Sequence, residues 1–226
     1  MQALGKMADL LWLNVLTFIC CIPIVTIGAS LTAMNYVALK IARNEECYIT
    51  KDYFKSFRQN LKQATVIWLL LLLLLLVLVG DFYIISNSDI TFGNVIRIVI
   101  TVIAVVVVFT AMHVFPMLAK FDNTIPNTIK NAFFMSILQF PKTLLMIVLY
   151  ILPPVIVVLF TQIAPIPILF GFSVPAWLSA KLYSGFFKKL EDQILAEAEP
   201  PEEEGEDERI FRDELDESLF GDDSSK

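Results

Sequence analysis

Few side chains in this sequence could carry out chemistry, and those that could are widely separated. His113 is the only histidine, and the three cysteines are Cys20, Cys21 and Cys47. Adjacent cysteines cannot easily pair with each other, and no CxxC or Cys/His spacing typical of a metal site occurs. The sequence also contains no glycine-rich phosphate loop and no nucleophile elbow. We therefore expect a protein without catalytic residues, cofactor or metal ion.

Acidic residues are scarce where an ion-coupled carrier would need them. Asp9 and Asp81 lie near the ends of apolar stretches, and no acid lies deep within one. Proton- and cation-coupled carriers usually bury such a carboxylate because it holds the ion. The milder polar residues in the apolar stretches indicate helix packing or, in a second interpretation, a solute path between helices. The candidate positions of that path are Thr26, Ser30, Asn35, His113 and Ser173.

Four long uncharged stretches must position these side chains. They are residues 10–39, 63–80, 98–119 and 143–180. A transmembrane helix needs about 20 mainly apolar residues. The chain is 57% hydrophobic and only 18% charged, whereas about a quarter of the residues in a soluble domain are charged. The sequence therefore predicts an all-α, polytopic transmembrane helical bundle.

The number of spans depends on how the first and last stretches are divided. Residues 143–180 are too long for one span, and Pro165 and Pro167 favour a break between two helices. Residues 10–39 are long for one span and short for two. Five spans would make this first stretch a single bent helix, and six would make it a hairpin.

Short internal similarities favour six spans. The sequence IPIV at residues 22–25 resembles IPIL at residues 166–169, and TAMN at residues 32–35 resembles TAMH at residues 110–113. Such echoes suggest a helical hairpin unit that is used three times. The approximate limits of the six predicted spans are 5–22, 27–43, 63–86, 93–119, 141–161 and 166–187.

Charge is distributed unevenly along the chain. Residues 1–190 hold fourteen Lys and Arg against seven Asp and Glu, whereas residues 191–226 hold sixteen Asp and Glu against three Lys and Arg. Basic residues follow the second, fourth and sixth predicted spans, and cytoplasmic connections collect Lys and Arg. We therefore predict a transmembrane domain at 1–190 with cytoplasmic N- and C-termini, and an acidic, largely disordered tail at 191–226.

Two segments on the predicted cytoplasmic side are candidate interaction surfaces. Residues 50–62, with Thr50 as N-cap, place aromatic side chains opposite basic ones, and a similar segment begins at Thr124 with Pro126 in its first turn. Such connecting helices either brace the spans or contact a cytoplasmic partner. The tail is either a solubilising segment or a motif that folds on a basic partner surface. The candidate contact residues are Lys51, Tyr53, Phe54, Lys55, Phe57, Arg58, Lys62, Phe211, Leu215 and Phe220.

The order of three motifs resembles that of the YesL-like family of bacterial membrane proteins. The motifs are ADLLWLN at residues 8–14, PIVTIGASLTAMNYVALK at 23–40 and YFKSFRQNLKQA at 53–64, before a leucine-rich span. The resemblance covers about residues 1–190 and is most specific in residues 8–68. It implies a small polytopic protein of Gram-positive bacteria with no assigned activity and no accepted catalytic or binding residues.

The resemblance also implies a biological setting. Genes of the YesL-like family tend to lie beside carbohydrate ABC importers and two-component sensors. We therefore expect a non-enzymatic accessory or regulatory protein of such an importer or its sensor. A small-solute transporter or channel is the alternative. The expected partners are the lipid bilayer and either ABC permease subunits or a membrane sensor kinase, with no nucleic acid.

Overall fold

The structure is a computed structural model that describes residues 2–87, 93–160, 162 and 165–198. These residues form helices and short connections without a β-strand, which confirms the all-α fold class. The helices are α1 (Gln2–Cys21), a 3₁₀ turn (Ile24–Thr26), α2 (Ile27–Arg43), α3 (Ile49–Ser86), α4 (Gly93–Lys120), α5 (Ile125–Leu138), α6 (Phe140–Leu159), α7 (Pro165–Phe170) and α8 (Ser173–Ala198). The chain divides into two units, Met1–Ser184 and Gly185–Lys226. The described part of the second unit is the end of α8.

Five helical segments among the described residues are long and apolar enough to cross a membrane, which indicates a multi-pass membrane protein. They are Leu4–Cys21, Ile24–Arg43, Ile49–Ser86, Val95–Lys120 and Phe140–Leu159. The sixth predicted span, residues 166–187, is not one helix. A turn at Gly171 and Phe172 separates the six-residue α7 from α8. The count of six crossings therefore stays a prediction.

The first uncharged stretch forms two helices and not one bent helix. α1 ends just before Pro23, where the missing amide donor and the ring of proline disfavour a continued helix. The Thr26 hydroxyl lies within hydrogen-bonding distance of the carbonyl oxygens of Cys20 (2.7 Å) and Pro23 (2.8 Å). α2 then returns antiparallel to α1, so that Lys6 Nζ donates to Asn44 Oδ1 at 2.6 Å. Residues 22–26, which we call the corner, therefore join the two arms of a hairpin.

α3 is a single helix of 38 residues. At 1.5 Å per residue it is about 57 Å long, roughly twice the thickness of a bilayer's hydrocarbon core. The predicted connecting helix at 50–62 and the predicted span at 63–86 are therefore continuous, because no glycine or proline interrupts the sequence between them. Thr50 is not the N-cap, since α3 begins one residue earlier. Its hydroxyl instead accepts a hydrogen bond from Trp12 Nε1 at 2.9 Å.

α2 packs antiparallel along the first half of α3. An ion pair of 3.0 Å joins Lys40 of α2 to Asp52 of α3. Gly28, twelve residues before Lys40, lies against Ala64, twelve residues after Asp52. A side chain has no space at Gly28, because its Cβ would lie 2.7 Å from the Cβ of Trp68. Small residues permit this close approach of two helices. The leucine-rich half of α3 extends beyond the corner.

α5 is the second predicted amphipathic segment, and it packs mainly against α4. Pro126 lies in its first turn, as the sequence predicts. Phe134, Ile137 and Leu138 are half or more exposed. Exposed apolar side chains of this size next to membrane-type helices indicate contact with lipid. α5 therefore packs against α4 and keeps an exposed apolar side.

The predicted acidic tail begins as a helix. α8 continues to Ala198, so residues 191–198 are helical. Leu, Ala, Glu and Gln predominate there, and these residues have high helix propensity. Residues 199–226, for which disorder is predicted, lie outside the described residues. The candidate contact residues Phe211, Leu215 and Phe220 lie outside the described residues, and their role stays a prediction.

Candidate functional site

The first half of α3 carries an exposed basic face. Asp52 is the only acid in the sequence of residues 49–62, and it lies toward α2. There its carboxylate accepts hydrogen bonds from Lys40 Nζ at 3.0 Å and from the backbone N–H of Tyr48 at 3.1 Å. The basic face is therefore not neutralised by the acid nearest to it in sequence. Its members, all exposed, are Lys51, Lys55, Arg58 and Lys62.

The aromatic residues assigned to this surface are divided between the surface and the interior. Phe54 is exposed, and Phe57 is half-buried. Tyr53 is fully buried and stacks on Phe57 with 6.3 Å between the ring centroids. The prediction that Tyr53 contacts a partner is wrong, because Tyr53 lies on the inward side of α3. Small residues on that side let α2 pack closely against it. The buried residues along that side are Tyr53, Ser56, Ala64 and Ile67.

Cys47 lies in the connection between α2 and α3. Burial raises the pKa of its thiol to about 12, and the hydrogen bond to Asp52 and the charge of Asp52 act in the same direction. A thiol with this pKa is protonated at neutral pH and is a poor nucleophile. A cavity of about 570 Å³ opens beside it, and Lys6, Asp9 and Glu45 contribute charges of both signs to its lining. Cys47 is therefore not an activated nucleophile.

The polar residues of the corner and of α2 that could line a solute path form hydrogen bonds within and between the helices. Ser30 is buried, and its hydroxyl donates to the carbonyl oxygen of Thr26 at 3.0 Å. Asn35 donates from Nδ2 to the Leu31 carbonyl oxygen at 2.8 Å, and its Oδ1 accepts a hydrogen bond of 3.4 Å from the Tyr183 hydroxyl. These contacts favour the packing interpretation of Thr26, Ser30 and Asn35.

His113 is fully buried where α4 meets α6. Its Nε2 lies 2.8 Å from the hydroxyl oxygen of Thr143, which is also 3.0 Å from the Gln139 carbonyl oxygen and 3.2 Å from that of Ser136. A hydroxyl has one proton to donate, and it is directed to these carbonyl oxygens. With the hydroxyl proton directed to a carbonyl oxygen, the Nε2–H tautomer of His113 donates to Thr143, and this contact links α4 to α6.

The backbone of Ser173 contacts Asn14, a residue that was not among the candidate positions. Asn14, in the middle of α1, is buried. Its Oδ1 accepts hydrogen bonds from the backbone N–H groups of Phe172 at 3.0 Å and Ser173 at 3.3 Å, and its Nδ2 donates to the Ile168 carbonyl oxygen at 3.0 Å. Helix ends leave such backbone groups unpaired. Asn14 therefore caps the turn between α7 and α8. The sequence feature that could have indicated this role is an amide side chain within an apolar run.

The corner is held by side chains of α3. Trp68 Nε1 donates to the Ile24 carbonyl oxygen at 2.9 Å, and the Thr65 hydroxyl donates to the Val25 carbonyl oxygen at 3.3 Å. Backbone carbonyls that leave a helix in an apolar environment need such partners. The corner is therefore a packing joint between the hairpin and α3.

Most of these contacts lie in the part of the chain that matches a known family. Residues 8–82 match the family "Protein of unknown function, DUF624". This is the family to which YesL-like proteins belong. No curated protein and no solved structure matches the chain. The chain thus contains a DUF624 domain that includes the corner and most of α3.

Proposed function

We propose that this protein is a non-enzymatic accessory component of a membrane complex and that it contacts its partner through the basic face of α3. The observation that carries the proposal is the orientation of Asp52 toward Lys40, which leaves Lys51, Lys55 and Arg58 exposed on the other side of the helix. Complementary charge at an interface accelerates association and selects the partner. The partner surface is therefore acidic.

The partner that we propose is a permease subunit of a carbohydrate ABC importer, or its membrane sensor kinase. The resemblance to YesL-like proteins supports this choice. The packing contacts agree with it, because Asn35 and His113 bond to side chains of neighbouring helices and Ser30 bonds to the backbone at the start of its own helix. A transport path would instead present them to a solute.

The test is copurification from native membranes in a mild detergent. We expect the wild-type protein to retain permease or sensor subunits, and the variant with Lys51→Glu, Lys55→Glu and Arg58→Glu to lose them. The matched control reverses two exposed lysines outside this face, Lys188→Glu and Lys189→Glu, and should keep the association.

Two outcomes would contradict the proposal. One is recovery of the wild-type protein alone under conditions that preserve other membrane complexes. The other is equal association of the triple variant and the control. Movement of a solute by the purified protein in liposomes would favour the transporter alternative.

A further inference from the structure

A contact between α2 and α8 places Ser184 near the start of α3. Arg43, the last residue of α2, donates from Nη2 to the carbonyl oxygen of Ser184 at 3.4 Å. Lys40, about one turn before Arg43, is paired with Asp52 in the first turn of α3. Ser184 therefore lies at the end of the hairpin where the basic face of α3 begins.

The chain after Ser184 stays on the side of the membrane where α3 begins. Only fourteen residues of α8 follow Ser184, about 21 Å of helix, which is less than the hydrocarbon thickness of about 30 Å. Four of them are the charged residues Lys188, Lys189, Glu191 and Asp192, which are costly to bury in lipid. Residues 199–226, which we call the C-terminal segment, therefore begin on the same side of the membrane as the basic face.

The C-terminal segment and the basic face carry opposite charges. The segment holds thirteen Asp and Glu against three Lys and Arg, and the face consists of three lysines and one arginine, all exposed. A chain of this length extends to at most about 95 Å, whereas residues 49–62 of α3 are about 21 Å long. The segment is therefore long enough to reach the face whichever way the end of α8 points.

Apolar side chains accompany the charges in both places. Phe54 of α3 is 37% exposed, and Arg58, four residues later, is its neighbour on the helix surface. In the C-terminal segment Phe211, Leu215 and Leu219 recur at every fourth residue with acidic residues between them. This spacing is typical of one side of a helix. An acidic amphipathic sequence is thus the counterpart of a basic surface with an exposed aromatic ring.

We propose that residues 211–220 of this chain bind the basic face of α3, with their carboxylates against its lysines and arginine and their apolar side chains against Phe54. Because the C-terminal segment is tethered close to this surface, its effective concentration there is high. The segment then competes with an acidic partner for the same face. This competition rests on the function proposed above, whereas the contact itself does not.

Photo-crosslinking of the purified full-length protein in a neutral detergent tests the contact. The probe is p-benzoylphenylalanine in place of Gln59, an exposed residue four positions after Lys55. We expect intrachain cross-links to the C-terminal segment, identified by mass spectrometry. Their yield should fall at least about fivefold in the variant with Lys55→Glu and Arg58→Glu, because like charges then face each other. It should also fall in about 1 M salt, where the Debye length is about 3 Å.

The matched control makes the same change of charge at two exposed lysines outside the face, Lys130→Glu with Lys188→Glu, and should keep the yield. Because all four substituted residues are exposed, the variants should fold, and their thermal unfolding checks that they do. Equal yields in the two double variants would overturn the proposal, and so would wild-type cross-links that mainly join two copies or do not reach the C-terminal segment. The measurement needs no partner, so a failed copurification would contradict the proposed function and leave this contact standing.

Discussion

The Oδ1 atom of Asn14 lies 3.0 Å from the backbone nitrogen of Phe172, and these residues are 158 positions apart in the chain. Through this bond a side chain of α1 accepts a hydrogen bond from a backbone N–H just before α8. The same amide donates from Nδ2 to the Ile168 carbonyl oxygen of α7. The turn that divides the last predicted span is therefore held by the first helix.

Replacement of Asn14 by alanine should destabilise the protein markedly. It would leave the N–H of Phe172 and the carbonyl of Ile168 without their side-chain partner, and a buried group left unpaired costs about 1–3 kcal/mol. The measurement is the midpoint of thermal unfolding in detergent. Asn60→Ala is the control, because Asn60 is half-buried and, among the described residues, bonds only within its own helix, to Ser56. Equal melting points for the two variants would refute the capping role.

Gly28→Ala should also destabilise the protein. The new methyl group would lie 2.7 Å from the Trp68 Cβ and against the backbone of Ala64, so α2 would have to move away from α3. Overpacking of this kind costs about 1–3 kcal/mol. Gly80→Ala is the matched control, since no atom lies within 4 Å of a Cβ there and alanine favours the helix. An unchanged melting point for Gly28→Ala would show that the two helices separate easily.

The reactivity of Cys47 should depend on Asp52. In a variant that keeps Cys47 alone, with Cys20 and Cys21 replaced by alanine, we expect slow reaction with a maleimide at pH 7 and a rise of about tenfold per pH unit up to pH 9. This follows because the pKa of about 12 lies above that range and the thiolate is the nucleophile.

Asp52→Asn removes a carboxylate that raises the pKa of Cys47. The pKa should fall, and the rate at a fixed pH below it should rise. Burial, the larger cause, remains, so the rate should still increase with pH up to pH 9. A rate that does not change with Asp52→Asn would exclude the interaction between the two groups.

Residues near the start of α1 and the end of α2 should be labelled from the same side of the membrane. Lys6 and Asn44 are joined by a hydrogen bond of 2.6 Å, so α1 and α2 return to one level. The test uses membrane-impermeant maleimides on intact cells and inverted vesicles, with either Glu46→Cys, at an exposed position after α2, or Gly5→Cys as the single cysteine. A Cβ at Gly5 meets no atom within 4 Å. Both sites should react in inverted vesicles, and labelling from opposite sides would contradict the hairpin.

The sequence predicted the features that depend on local patterns. Uncharged length predicted the helices, and Pro23 predicted the break between α1 and α2. The register of α3 against α2 was not predictable in this way, because it depends on Gly28 and Ala64, which are distant in sequence and have no distinctive pattern. Tyr53 was assigned to the surface although it is buried, because the sequence does not show which side of α3 packs against α2.

In the candidate site, too, the features that depend on local sequence were predictable and those that depend on distant contacts were not. The basic residues of α3 were recognisable because solvent exposure follows from charge and helical spacing. The role of Asn14 was missed, because a lone amide in an apolar helix gives no indication of which distant backbone groups it will pair. Only the fold brings Phe172 and Ile168 to it.

The contact between Trp68 and Ile24 also fixes the level along α3 at which the first hairpin turns back. Eighteen residues of α3 lie beyond Trp68, about 27 Å of helix, which is close to the full hydrocarbon thickness of about 30 Å. The first hairpin therefore turns back near the middle of α3 and leaves the leucine-rich half of that helix to be covered by other helices or by lipid.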